Sequence, residues 1–303
     1  MMDLCDIREV KKLLERHGFR FSKAMGQNFL IAGWVPREIA AAGGGDRSCG
    51  VLEIGPGIGC LTRELCRRAG KVVSVELDPS LPPVLAETMA GEENFVLVSG
   101  DVLKLDVCRL VDEQFQGLTP LVCANLPYNA ATPILHMLVE TGRFETLTVM
   151  VQREVARRLA AKPGTGDYGA LSVYMQYHTE PELLFDVPPE CFLPAPKVTS
   201  SVIQCRRRET PAVKHRCGQD FFFQTVQAAF ALRRKTLCNS LCTAFGSRLG
   251  KEGVAAAVEA CGLAPTVRGE ALGLNEFASL ADSLWAALGN TAFSREKKQE
   301  REL

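Results

Sequence analysis

Several familiar signatures are missing from this sequence, and each absence excludes something. No apolar run approaches the roughly 20 residues a membrane-spanning helix needs, so no membrane partner is expected. The first 21 residues mix acids and bases and lack the apolar core of a secretory signal. There are only 4 histidines, His17, His136, His178 and His215, and none is spaced like a ligand pair, so no metal site is expected. The 12 cysteines are scattered and form no CxxC, which fits reduced, mostly buried thiols in a cytoplasmic protein. Net charge is absent too: 35 Lys and Arg balance 35 Asp and Glu. The chain is therefore no general polycation, although a local basic face remains open. No internal repeat is found.

What is present is an ordinary globular composition, 47% hydrophobic and 23% charged over 303 residues, long enough for about two domains. Residues 4–17 predict an amphipathic helix with Leu4, Ile7, Val10, Leu13 and Leu14 on one stripe. From Val51, short apolar runs at 51–55, 72–77, 95–101, 121–127 and 147–152 alternate with helix-length segments. That alternation predicts an α/β fold with a parallel sheet. Two later stretches, 174–187 and 198–208, predict further strands. After about Arg208 the period becomes helical. The expected domains are 1–208, a small all-α domain at 209–290, and a charged, disordered tail at 291–303.

Four sites along the first domain carry chemistry. The run VLEIGPGIGCLTREL (51–65) takes a buried strand through Gly55, Gly57 and Gly59 into a helix. Glycines allow a sharp turn and close approach of a ligand, and the helix N-terminus offers free N–H groups. The spacing is GxGxG, which counts against a dinucleotide oxidoreductase, whose fingerprint is GxGxxG. Glu76 ends the second strand, 21 residues after Gly55, where an acid accepts hydrogen bonds from both ribose hydroxyls of a nucleoside cofactor. Asp101 ends the third strand, placed for an adenine amine, while nearby Asp106 reads as a helix cap or a surface charge. The fourth site is NLPY, Asn125–Leu126–Pro127–Tyr128, after the fourth strand. The lone pair of a nucleobase amine is delocalised into the ring. Two acceptors, the Asn125 side-chain oxygen and the backbone carbonyl of Leu126 or Pro127, help localise it. Pro127 stiffens the turn and Tyr128 offers a π face.

Further segments extend the pattern: FSKAMGQNFL (21–30), VELD (75–78), GDVL (100–103), ANLPYNAATPIL (124–135), QREVARRLAAKPGTGDYGALSV (152–173), FLPAPKVTSSV (192–202) and FALRRKTLCNSL (230–241). In this set and order, over roughly residues 5–285, the chain resembles the bacterial KsgA/RsmA family of ribosomal RNA small-subunit adenine dimethyltransferases. The resemblance implies a Rossmann-like class I methyltransferase domain that uses S-adenosyl-L-methionine, followed by a small helical domain. It implies cofactor contacts from Asn28 and Leu30, joined by Gly55, Glu76, Asp101 and Asn125. Gln27 and Phe29 take substrate-side or packing roles. Phe192 is implied as the partner of Tyr128, the two sandwiching a flipped adenine. The implied substrate is two adjacent adenosines in the 3′-terminal hairpin loop of 16S rRNA, in a small ribosomal subunit or its precursor. The protein is expected to be a monomer with a role in subunit biogenesis. Relatives acting on large-subunit RNA share much of the first domain, but RRKTLCNSL and GEALGLNEFASLADSL favour the small-subunit enzyme. The chain departs from the family at Asn129, often Tyr, and at Ala130–Ala131, which replace Ile-Thr beside the acceptor pocket.

Residues 206–248 hold nine Lys and Arg against two acids, Glu209 and Asp220. Clustered bases suit phosphate contacts. Arg233, Arg234 and Lys235 are expected to bind RNA, with Arg153 extending the surface.

Overall fold

Runs such as VLEI and VVSV carry almost no polar alternation, as strands buried on both faces require. The computed structural model of the chain, which describes residues 2–22 and 26–289, turns those runs into the middle of a sheet. The expected tail at 291–303 lies outside the described residues. The strands are β1 (Phe29–Leu30), β2 (Cys49–Ile54), β3 (Lys71–Glu76), β4 (Phe95–Ser99), β5 (Thr119–Asn125), β6 (Thr146–Gln152), β7 (Thr179–Val187), β8 (Phe192–Leu193) and β9 (Ser200–Arg207). Seven form one sheet in the order β4-β3-β2-β5-β6-β9-β7, and β1 pairs with β8 in a separate ribbon. β2 to β6 run parallel and β9 runs antiparallel to β6. The chain builds outward from β2 to β4, then returns to the other side of β2 with β5. The carboxyl ends of β2 and β5 therefore flank a topological switch point, where open α/β sheets bind ligands.

The helices are α1 (Ile7–Arg16), α2 (Trp34–Gly43), α3 (Cys60–Arg68), α4 (Pro82–Thr88), α5 (Val107–Gln114), α6 (Ala131–Thr141), α7 (Arg153–Ala160), α8 (Ala170–His178), α9 (Gln219–Phe230), α10 (Leu237–Glu259) and α11 (Leu274–Ala287). Asp6 caps α1 by accepting from the N–H groups of Arg8 and Glu9. Val10, Leu13 and Leu14 of its stripe are buried, whereas Ile7 is exposed. Asp106 caps α5 through the Arg109 N–H at 2.9 Å, the first of the two roles its sequence position allows. α2 lies so close to β6 that a Cβ at Gly43 would sit 2.4 Å from the Thr148 Cβ.

Two compact units result, Met1–Arg157 with Glu180–Arg207, and Arg158–Thr179 with Arg208–Leu303. The sheet strands from β2 to β6, with β9, belong to the first. The second packs α8, α9, α10 and α11 around Phe221, Phe222, Leu241, Phe245, Phe277 and Leu284. Its helix α10 breaks at Gly250, whose φ of 68° is left-handed. Tyr174–His178, predicted as strand, closes α8 instead; its aromatics resemble a strand in composition, but Tyr177 is buried in this helical core and Tyr174 is buried against Phe223. Among the described residues no helix is long and apolar enough to cross a membrane.

Candidate functional site

Each strand end at the switch point delivers one polar group. β2 hands over to Gly55, Gly57 and Gly59, with φ of 69°, 59° and 92°, and α3 follows at once. The position of Gly57 strongly favours glycine: its φ is left-handed, and a Cβ there would crowd the Phe29 ring at 3.1 Å. Phe29 thus packs over the loop, and it lines the cleft as well. Gln27 is likewise engaged, accepting from the Ser22 N–H at 2.9 Å and donating to Asp78 at 2.6 Å.

Glu76, at the end of β3, is buried. Burial lifts its carboxyl above the ordinary range, and N–H bonds from Asp78, Gly57 and Leu77 partly offset that lift. Asp101, just past β4, accepts the Leu103 N–H at 3.1 Å and stands 3.6 Å from the Lys104 ammonium. Asn125 ends β5, and its side-chain NH2 points to the Asn28 carbonyl at 3.5 Å. With the amide nitrogen turned that way, its oxygen is the end left to accept from a ligand. Leu126 N–H donates to Met150 O at 3.1 Å, and Ala130 N–H donates to Pro127 O at 3.0 Å, so the NLPY turn is pinned at both ends. The Tyr128 hydroxyl lies 2.6 Å from the Ser200 hydroxyl.

These groups line one cleft with an empty volume of about 1070 Å³, its open mouth included. Asn28, Leu30, Gly55, Glu76, Asp101, Asn125, Leu126, Pro127 and Tyr128 all face it. Phe192 does not. It sits in β8 opposite Leu30, is 2% exposed, and packs in the core.

Leu77, Leu103 and Glu53 are among the cleft residues to which the sequence assigns no role. Leu77 and Leu103 line it and are 57% and 42% exposed, apolar walls beside the two acids Glu76 and Asp101. Glu53, second-last residue before the glycine loop, also lines it while being 1% exposed. Its Oε2 accepts from Ser74 at 2.6 Å and Thr62 at 2.8 Å, and burial pushes its carboxyl up to about 7. An acid in the middle of an otherwise apolar strand was the available signal.

None of the expected RNA-binding residues lines the cleft. Arg153 opens α7 and stands 3.7 Å from the Asp186 carboxylate. Arg233, Arg234 and Lys235 are exposed in the turn between α9 and α10. Arg233 already donates to the Gly166 carbonyl and faces Glu270 at 3.9 Å.

The cleft's chemistry suits a nucleoside-bearing cofactor: a hydrogen-bonding acid at a strand end, a second acid flanked by apolar walls, and a glycine loop before a helix N-terminus. Comparison with known proteins agrees. The pattern of the family described as "Ribosomal RNA adenine dimethylase" matches residues 18–264. A protein of Geobacillus thermodenitrificans, named ribosomal RNA small subunit methyltransferase A, is 44% identical over 285 residues, covering 93% of this chain and 97% of that one. Among solved structures, the 23S rRNA methyltransferase ErmE is 28% identical with a TM-score of 0.63, covering 85% of this chain and 99% of that one. A dimethyladenosine transferase from Plasmodium falciparum, 22% identical, shares the fold with a TM-score of 0.68, covering 83% of this chain and 95% of that one.

Proposed function

The chain belongs to the ribosomal RNA adenine dimethylase family, and from that we propose that it dimethylates the N6 amines of two adjacent adenosines in the 3′-terminal hairpin loop of 16S rRNA. It is a methyltransferase of class I fold, and its methyl donor is S-adenosyl-L-methionine. The observation that carries the reading is the convergence of Gly55–Gly59, Glu76, Asp101 and Asn125–Tyr128 on one cleft at the switch point of the sheet.

When bound, the donor supplies a methyl group on a positively charged sulfur, open to attack by an amine. Everything else falls to the chain. Glu76, anchored by three backbone N–H groups, would accept the ribose hydroxyls. Asp101 would accept the adenine amine of the donor, with Leu77 and Leu103 as the walls of its slot. Asn28 and Leu30 close the side of the cleft nearest Asn125.

At the acceptor end, the Asn125 oxygen and one backbone carbonyl would take the two hydrogens of the target amine. Pro127 O already accepts from Ala130, which favours the Leu126 carbonyl as the second acceptor. Two acceptors draw the amine lone pair out of the ring and aim it at the methyl group. No general base is needed, because the methylated, N-protonated product is acidic and loses its proton to water. The adenine must leave its stack to reach Tyr128, as base-modifying enzymes generally require. Phe192, which the resemblance pairs with Tyr128, would form the other face of that slot. Arg153, Arg233, Arg234 and Lys235 would hold the phosphate backbone. The substrate is a small subunit or its precursor, met in the cytoplasm by a monomer during subunit assembly.

The test uses purified protein, labelled donor, and small subunits from a strain lacking this modification, with large subunits in parallel. N6,N6-dimethyladenosine in small-subunit RNA alone is the expected product. Label confined to large subunits would move the enzyme to the other branch, and donor binding without any transfer would leave a binding role. Replacing Asn125 with Ala should lower turnover at least about 100-fold, on the scale of losing one aligned acceptor in a dry site, while RNA affinity holds.

A further inference from the structure

The NLPY turn is tied down at its backbone, but the Tyr128 ring projects from a turn, where neither a helix nor a strand limits its rotamers. What holds it is a hydroxyl 72 residues further along: Ser200 Oγ, 2.6 Å from the phenol oxygen. Ser200 is fully buried at the first position of β9, directly opposite Gln152 of β6. A buried hydroxyl is costly unless it is satisfied. Its neighbours anchor the same strand end. The Thr199 carbonyl accepts the Arg153 N–H at 3.0 Å, and the Ser201 hydroxyl donates to Asp186 at 2.5 Å. The hydroxyl that meets Tyr128 therefore stands on a part of the sheet that is fixed on both sides.

We infer that Ser200 is a positioning residue for the acceptor base: its buried hydroxyl holds the Tyr128 phenol oxygen and so sets the direction and depth at which the ring meets a flipped adenine. The inference rests on the reading of NLPY proposed above. One tether at the para position does not stop the ring from spinning about its own axis. It fixes where the ring points, and that decides whether the base comes to rest with its amine between Asn125 and Leu126. Burial raises the Tyr128 hydroxyl above its ordinary value, with the Ser200 bond partly countering it, so the phenol stays protonated and the bond intact across the working pH range.

The hydrogen bond can be cut from either end. Ser200→Ala and Tyr128→Phe should each lower kcat about five- to tenfold, the scale of one lost hydrogen bond, with KM for donor and RNA within about twofold. The double variant should be no worse than either single one, because both remove the same bond. Ser200→Thr, which keeps the hydroxyl, should restore most of the rate; if its extra methyl disturbs the fold, the Tyr128→Phe comparison still decides. Thermal melting of each variant separates loss of positioning from loss of structure. Ser200→Ala turning over like wild type, or losses that multiply in the double variant, would overturn the assignment and leave the methyltransferase reading standing. A wild-type protein that methylates no small-subunit RNA would overturn both.

Discussion

Glu53 and Glu76, one on each of two adjacent strands, are both buried but satisfied in different ways. Glu76 is met by backbone N–H groups, which can only donate and so favour a carboxylate. Glu53 is met by two hydroxyls, which can turn to suit either protonation state. Burial raises Glu53 from 4.5 to about 7, the bonds from Ser74 and Thr62 countering it in part. Between those values the native state keeps a proton that the unfolded chain has released. Stability from this group is therefore fully present below about pH 4.5 and is lost as pH rises through 7, by on the order of 3 kcal/mol. Glu53→Gln cannot ionise, so wild type should lose ground to the variant from pH 5 to pH 8 in denaturant melts. Parallel profiles would show that Glu53 is ionised throughout. At Glu76 the expected outcome concerns binding. Glu76→Ala should weaken donor affinity by about tenfold or more, from lost charge-assisted hydrogen bonds, in calorimetry against the donor alone, with RNA affinity unchanged.

At the scale of elements, the contact of α2 with β6 gives a direct test. Gly43→Ala would put a methyl 2.4 Å from the Thr148 Cβ, an atom too near the backbone to swing aside. The expected cost is about 1–3 kcal/mol, or some 2–4 °C in melting temperature per kcal/mol. Donor affinity should survive, because neither residue faces the cleft. The elements that carry the site were the most legible part of the sequence. β2 to β5 are short apolar runs, each ending in or running directly into a polar or glycine residue, and a parallel strand ends that way when its carboxyl end faces a ligand. What was illegible depends on contacts between distant parts of the chain. Nothing local to Ser200 says that its hydroxyl meets Tyr128. Nothing local to Phe192 says that it pairs with Leu30 and turns into the core. Tyr174–His178 misled because aromatic residues favour strands on average, and only packing against Phe222 and Phe223 reveals the helix.

For the molecule as a whole, a net charge of +0 means that RNA affinity must come from local clusters. Each phosphate contact adds a roughly fixed slope to the dependence of affinity on salt. Replacing Arg234 and Lys235 together with Ala should lower that slope by about 1–2 in a log–log titration, weakening binding evenly across RNA sequences. An unchanged slope would remove this turn from the RNA interface. The cleft carries a different consequence. Its lining is drawn from Gly26 to Ile134, from a ribbon, a glycine loop, two acidic strand ends and the NLPY turn. Any occupant is thus a clasp joining segments that the backbone leaves far apart. By mass action, donor at 100 times its dissociation constant adds about 2.7 kcal/mol to the folded state. The heat resistance of a preparation becomes a gauge of how much donor it carries, readable before any RNA is added.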